Sequence, residues 1–290
     1  MGKPAAAWFA LHQGGPRELI ARTRSWGARA LDPGGVDPGG VDPGGESGPS
    51  AAPPGQASAQ RRNAVNVGYA QVTRFFESRQ ANYDQLADAI EPHLDPDGVL
   101  YDIGANIGYF SLVVGRRTGF RGQAHLFEPI PHLAKFIFRT LADAEFSLAV
   151  HQYGLSDRDG QVDIFIDTAG NFGWNTMIGE RAQRMTPQRI KVRRFDGIGL
   201  TAAPSVIKID VEGAEYLVLR GLVPALRSWA TRPPILCEVG WGADGHPAWQ
   251  DELAVFEELK QLGYRPTSLT GEPVVLEEID RTCDILFLAY

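Results

Sequence analysis

Between residues 63 and 92 apolar side chains recur at helical spacing. Val65, Tyr69, Val72, Phe75 and Phe76 form one series, and Tyr83, Leu86 and Ile90 a second. Steps of three and four place each series on one helix face, with a break or cap near Gln80 and an end before Pro92. Past Asp95-Pro96-Asp97-Gly98 the pattern changes. Short apolar runs at 99–103, 123–127, 149–155, 162–166, 190–192, 205–209 and 234–239 read as strands. The stretches 107–117, 131–141, 214–219 and 247–262 read as helices. The last carries Trp249, Leu253, Phe256 and Leu259 on one face and is stopped by Gly263. Two strands near 264–269 and 284–289 close the chain. Alternation of this kind predicts an α/β fold, a doubly wound and mostly parallel sheet covered on both faces.

Residues 1–62 follow neither period. They hold 12 of the 33 glycines and 8 of the 20 prolines, and Asp-Pro-Gly-Gly recurs at five-residue intervals from Asp32 to Gly45. Each copy favours a turn, and the repeat is too short and too glycine-rich to bury anything. A disordered tail is expected there, followed by a domain over 63–290 whose first element is the helical segment 63–92. That segment is expected to pack on the domain, the alternative being a lid over a ligand.

Composition narrows the class. At 290 residues the chain can bury a sizeable core without metals or disulfides. Its net charge of -7 disfavours a nucleic-acid backbone as partner. The two cysteines, Cys237 and Cys283, sit in apolar runs and read as buried core thiols of a reducing compartment. The early apolar run 5–11 is too short to span a membrane, and Ala6 stands where an N-myristoylation start needs Ser or Thr. A soluble cytoplasmic protein with no membrane partner is the expectation.

In a doubly wound sheet the ligand crevice lies beyond the carboxyl ends of the strands. The first strand ends in Asp102-Ile103-Gly104-Ala105-Asn106-Ile107-Gly108. Gly104 lets the backbone turn tightly, and Gly108 lets the next helix pack close. The spacing does not match G-x-G-x-x-G, and Asp102 would repel a pyrophosphate while suiting an amino group or ribose hydroxyls. Glu128, twenty residues beyond Gly108, ends the second strand, where a carboxylate can accept from both hydroxyls of a ribose. Together they point to a nucleoside with a positive, phosphate-free neighbour, a description that S-adenosylmethionine fits. Ser156 and Asp157, after the third strand, are placed to bind the exocyclic amine of an adenine; a plain polar turn is the alternative.

The segment Lys208-Ile209-Asp210-Val211-Glu212-Gly213-Ala214-Glu215 crowds three carboxylates into one strand-to-helix turn. Like charges so close raise one another's pKa or share a cation. Glu215 suits the N-terminus of its helix, whereas Asp210 and Glu212 alternate on an extended stretch and point to the same side. Glu238 ends a buried strand and needs a partner, from an acceptor pocket or from a metal shared with Asp210. Trp174 and Thr176, in a loop between β segments, are candidates for an acceptor surface. His246, beside Pro247 at a helix start, reads as a cap rather than a base.

Asp-Ile-Gly-Ala-Asn-Ile-Gly-Tyr-Phe-Ser from Asp102, Phe-Glu-Pro-Ile-Pro from Phe127, Gly-Leu-Ser-Asp from Gly154, Arg-Phe-Asp-Gly-Ile from Arg194 and Lys-Ile-Asp-Val-Glu-Gly-Ala-Glu from Lys208 occur in a telling order, with Cys237-Glu238-Val239 after them. In this order they resemble the FkbM-like S-adenosylmethionine-dependent methyltransferases over about residues 97–290. The main departure is Tyr101, at a position more often filled by a small aliphatic residue. The resemblance implies a seven-strand class I methyltransferase sheet, Rossmann-like, with an antiparallel last strand. It implies methyl transfer, usually to a hydroxyl on a sugar, polyketide or other secondary metabolite. It places Asp102, Gly104, Asn106 and Gly108 around the methionine part of S-adenosylmethionine, Glu128 on the ribose, Asp157 beside the adenine, and Asp210 and Glu212 beside the methyl group.

A small hydroxylated acceptor is therefore expected, with Asp210 as base or, with Glu238, as holder of Mg2+, and Glu212 in reserve for either role. Two rival functions share the fold: methylation of a macromolecule, and S-adenosylmethionine binding without turnover. The acidic balance and the lack of an Asn/Asp-Pro-Pro-Tyr/Phe segment argue against nucleic-acid bases as acceptors. The intact acids at Asp102, Glu128 and Asp210 argue against a silent binder.

Overall fold

The computed structural model describes residues 19–21, 68–167, 175–176, 185–243, 245–246 and 248–290. The expectation of disorder over 1–62 thus falls outside the described residues, except at the short strand β1 (Leu19–Ala21).

The helical series divides in two. Helix α1 (Tyr69–Glu77) buries Val72 and Phe76, and α2 (Gln80–Ile90) buries Leu86, Ala87, Ala89 and Ile90. The break falls at Ser78 and Arg79, where the Ser78 hydroxyl donates to the Phe75 carbonyl and competes with the helical ladder (2.7 Å). Strand–helix alternation follows with β2 (Val99–Ile103), α3 (Tyr109–Thr118), β3 (Gln123–Phe127), α4 (Pro131–Thr140) and β4 (Ser147–His151).

The apolar run at 149–155, expected as one strand, belongs to two sheets. The Tyr153 N–H donates back to the His151 carbonyl (3.0 Å), and this turn sends β5 (Gly154–Leu155) away from β4. Alternating apolar side chains cannot show that turn, because Tyr153 is buried like its neighbours. The strands β6 (Gly160–Asp167), β7 (Asn175–Thr176) and β8 (Met185–Arg193) complete a smaller sheet of order β5-β8-β6-β7.

The chain then returns to the main sheet through β9 (Val206–Ile209), α5 (Glu215–Ser228), β10 (Ile235–Val239), α6 (Ala248–Gln261), β11 (Tyr264–Thr267) and β12 (Cys283–Ala289). Among the described residues its order is β1-β4-β3-β2-β9-β10-β12-β11. β4, β3, β2, β9 and β10 run parallel, and β12 lies antiparallel between β10 and β11. From β4 to β11 this is the doubly wound seven-strand sheet of class I methyltransferases, with its last strand reversed.

Topology decides where the site lies. From β2 the chain steps outward to β3 and β4, and on its return it steps the other way through β9 to β10. The order therefore reverses between β2 and β9, and a crevice opens beyond their carboxyl ends. The register Asp102↔Lys208 and Ile103↔Ile209 brings the glycine turn and the carboxylate-rich turn side by side.

Tyr101 is accommodated in the core: its hydroxyl donates to the Ala202 carbonyl (3.2 Å), and its ring meets His125, Phe127 and Phe195. Cys237 is buried as expected. Cys283 is only half-buried, because it starts β12 at the crevice rather than in mid-sheet. Among the described residues no helix is long and apolar enough to cross a membrane.

Candidate active site

Gly104 is where the two segments touch. It has φ +81°, and a Cβ on it would lie 1.9 Å from the Asp210 carbonyl oxygen. Only glycine permits this approach and this left-handed backbone together. Asn106 follows at φ 55° and Gly108 at φ 79°, the latter opening α3. Across the crevice Glu212 adopts φ 59°, uncommon for a residue with a side chain, in the turn after β9.

Buried glutamates hold these turns. Glu128 accepts from the Asn106 N–H on one oxygen (2.9 Å) and from the Ile130 N–H on the other (2.8 Å). Glu215 accepts from the Val211 and Gly213 N–H groups, both at 2.8 Å, and so clamps the turn that carries Glu212. Glu252 on α6 accepts from the Gly240 N–H (3.1 Å) in the turn after β10. All three are 0% exposed. Burial pushes each carboxyl up, Glu252 to about 7, while the backbone donors pull the other way.

Glu128 thus stands at the expected strand end, buried, with each oxygen accepting from one backbone N–H. Its replacement by Ala is expected to leave two buried N–H groups unpaired, at about 1–3 kcal/mol each. S-Adenosylmethionine affinity should fall at least about tenfold, and the melting temperature should fall with it by at least about 4 °C. Calorimetric titration and a thermal melt measure both; unchanged values in the two would show that Glu128 does not support the turn.

A second buried network runs between the two motifs. Asp102, also 0% exposed, accepts from the Ser111 hydroxyl (2.7 Å). Lys208 Nζ lies 3.1 Å from Asp210 Oδ2, 3.7 Å from Asp102 Oδ1 and 3.4 Å from the Gly104 carbonyl. Burial disfavours its ammonium, yet Asp210 and Asp102 more than offset this and hold it charged. Asp102, placed on the ligand by sequence, therefore acts here on Lys208; its Oδ1 has no hydrogen-bond partner.

Between the strand ends and the N-terminal helices lies a cavity of about 290 Å3. Gly104, Ala105, Asn106, Lys208, Asp210, Glu212, Glu238 and Asp284 line one side, and Phe75, Phe76, Arg79 and Tyr83 the other. Asp210, Glu212 and Glu238 each place a carboxylate oxygen within 4.8 Å of the others. Asp284 is the β12 residue directly opposite Glu238. Burial first, then the neighbouring acids, push Glu212 and Glu238 well above the usual carboxylate range. The Trp241 indole donates to Glu238 Oε2 (3.1 Å) and orients it.

The expected catalytic residues and Glu238 are thus brought together with the glycine turn. Ser156 is buried, and Asp157 lies 3.8 Å from Arg220 and 3.9 Å from Arg158, outside the lining among the described residues. Trp174 lies outside the described residues, and Thr176 is described only in the backbone of β7. His246 is a cap: its Nδ1 accepts from the Ala248 N–H (3.1 Å).

Tyr83 and Arg79 were not singled out by sequence. Tyr83 is held edge-on by Phe76 and Tyr109. Burial and then the charges of Asp210 and Glu212 push its phenol up. The apolar periodicity that includes Tyr83 was a signal for the helix, but not for which end of the sheet it covers.

A seven-strand sheet of this order, with a glycine turn and a carboxylate cluster at its switch point, has the architecture of class I methyltransferases. Residues 102–266 match the methyltransferase FkbM domain, and the chain belongs to that family. It is 28% identical over 134 residues to the hexuronic acid methyltransferase AglP of Haloferax volcanii, an alignment covering 46% of this chain and 54% of that protein. It is 26% identical over 226 residues to the AMB antimetabolite synthetase AmbE of Pseudomonas aeruginosa, covering 65% of this chain and 10% of the synthetase. The chain thus matches about half the length of the first relative and a tenth of the second. A crystal structure of an FkbM methyltransferase from Methylobacillus flagellatus aligns with 67% of this chain and 44% of its own, at 20% identity and TM-score 0.45.

Proposed function

We propose that the protein is an S-adenosylmethionine-dependent O-methyltransferase acting on a hydroxyl of a small acceptor, a sugar, polyketide or other secondary metabolite. The observation that carries this reading is the meeting of Asp210, Glu212 and Glu238 beside the Gly104–Asn106 turn. Three half-buried carboxylates gather within 4.8 Å of one another, with Lys208 beside Asp210. A sulfonium cation fits this acidic end of the cavity. The hexuronic acid acceptor in the name of one relative favours a sugar among the three acceptor classes.

Bound S-adenosylmethionine would supply a methyl group already activated on sulfur. The protein's part is to position the acceptor and take its proton, because an aliphatic hydroxyl is a poor nucleophile at neutral pH. Asp210, at the end of β9 and beside Gly104, is the base; Lys208 fixes its orientation through the 3.1 Å contact. Glu212, in the same cluster, stands in reserve for that role. The aromatic side chains of α1 and α2 exclude water from the same space.

The three carboxylates also have donor chemistry suited to Mg2+, which would lower the hydroxyl's pKa there. Calorimetric titration should show one S-adenosylmethionine site per chain, and label from its methyl group should pass to hydroxylated sugars. A chain that binds none of it would refute the reading. Binding with no transfer to any acceptor would make it a silent binder.

A further inference from the structure

The acceptor side of the cavity carries a cation that the reaction itself does not use. Arg79 sits in the break between α1 and α2 and lines the cavity half-buried. Its guanidinium lies over the Phe75 ring at 3.7 Å. One nitrogen, Nη1, donates to the Phe75 carbonyl (3.1 Å) and to the Ser78 hydroxyl (3.3 Å). These contacts hold the group in place, and among the described residues Nε and Nη2 make no hydrogen bond and Arg79 no ion pair. Lys208, the other cation of the lining, is held by Asp210 and Asp102.

A pinned guanidinium with free N–H groups loses little freedom on binding a planar or tetrahedral anion. The cavity is acidic at the strand ends and largely aromatic on the helix side. Asp210, Glu212, Glu238 and Asp284 at the strand ends repel an anion, so Arg79 is the position in the lining where one is welcome. A molecule bearing a hydroxyl and an anionic group is thereby oriented, its hydroxyl toward Asp210 and its anion toward the helices. An exposed arginine in water carries no such meaning; this one faces a ligand cavity with its stem immobilised.

We propose that Arg79 is the specificity-determining anchor for an anionic group, a carboxylate or a phosphate, on the acceptor. The proposal rests on the methyltransferase reading above and deepens it: the substrate is an anionic hydroxylated metabolite.

The test uses the full chain saturated with S-adenosylhomocysteine and three hexose probes, methyl glucoside, glucuronate and glucose 6-phosphate. Ligand-observed NMR titration should show both anions binding at least about tenfold more tightly than the neutral sugar. Which anion binds better separates carboxylate from phosphate. R79M should remove that preference, R79K should restore part of it, and S-adenosylmethionine affinity should be unchanged in both. Where transfer to a probe is measurable, R79M should raise KM with little change in kcat. Equal binding of neutral and anionic probes, no binding of either anion, or an R79M protein that keeps the preference overturns the proposal. Loss of S-adenosylmethionine binding in the unmodified chain would instead refute the methyltransferase reading, so the two failures are distinct.

Discussion

Asp210→Asn is expected to reduce methyl transfer by about 10²–10⁴-fold, the range for removing a positioned general base, while S-adenosylmethionine still binds. Asn keeps the shape of the side chain and an oxygen for Lys208 Nζ, now at 3.1 Å from Oδ2. What it removes is the charge that accepts the hydroxyl proton. The cofactor turn is untouched, since Gly104 meets the backbone of Asp210 and not its carboxylate. Label transfer and calorimetry on the same preparation separate the two effects.

Glu212→Gln run alongside assigns the base, because Glu212 shares the carboxylate cluster with Asp210. Activity that survives EDTA would rule out a divalent cation on the three carboxylates. Near-normal turnover in Asp210→Asn would refute both the direct base and the cation-holding role.

Gly104→Ala should be as damaging for a different reason. The added Cβ would fall 1.9 Å from the Asp210 carbonyl oxygen and 3.2 Å from a Val211 methyl. Neither backbone can yield cheaply: the Asp210 N–H donates to the Ile103 carbonyl (3.0 Å), and Ile103 pairs in register with Ile209. Strands β2 and β9 would have to part at the switch point, and Ala would keep a left-handed φ at a cost of about 1–2 kcal/mol. S-Adenosylmethionine binding is expected to weaken by more than about 100-fold, roughly 2.7 kcal/mol, with a clear fall in melting temperature. Gly119→Ala is the matched comparison. Gly119 has φ +65°, and nothing lies within 4 Å of a Cβ built there. It should show the backbone cost alone, a slightly lower melting temperature with unchanged affinity. Equal behaviour of the two variants would show that the close approach of the turns does not shape the site.

The motifs at strand ends were legible because a chain that alternates strands and helices must place its strand-terminal turns at one edge of the sheet. Asp102, Gly104, Asp210, Glu212 and Glu238 meet for that reason, although more than a hundred residues separate the first from the last. The role of each carboxylate was not legible in the same way. Glu128, Glu215 and Glu252 all follow or face strand ends, as a ligand-binding acid would, yet each turns inward to hold backbone N–H groups. Whether a carboxylate binds a ligand or braces a turn depends on which donors surround it, and those donors come from other segments.

By itself, then, the sequence determined the class of fold, the helices within 69–90 and the pairing of a glycine turn with an acidic turn, because hydrophobic period and chain order dictate them. The tertiary structure decided the rest. It split the run at 149–155 between two sheets, set α1 and α2 over the strand ends, and brought Arg79 and Tyr83 to face the acids. Periodicity shows which face of a helix is apolar, but not what that face is packed against. Burial, charge compensation and hydrogen-bond partners arise only when distant segments meet.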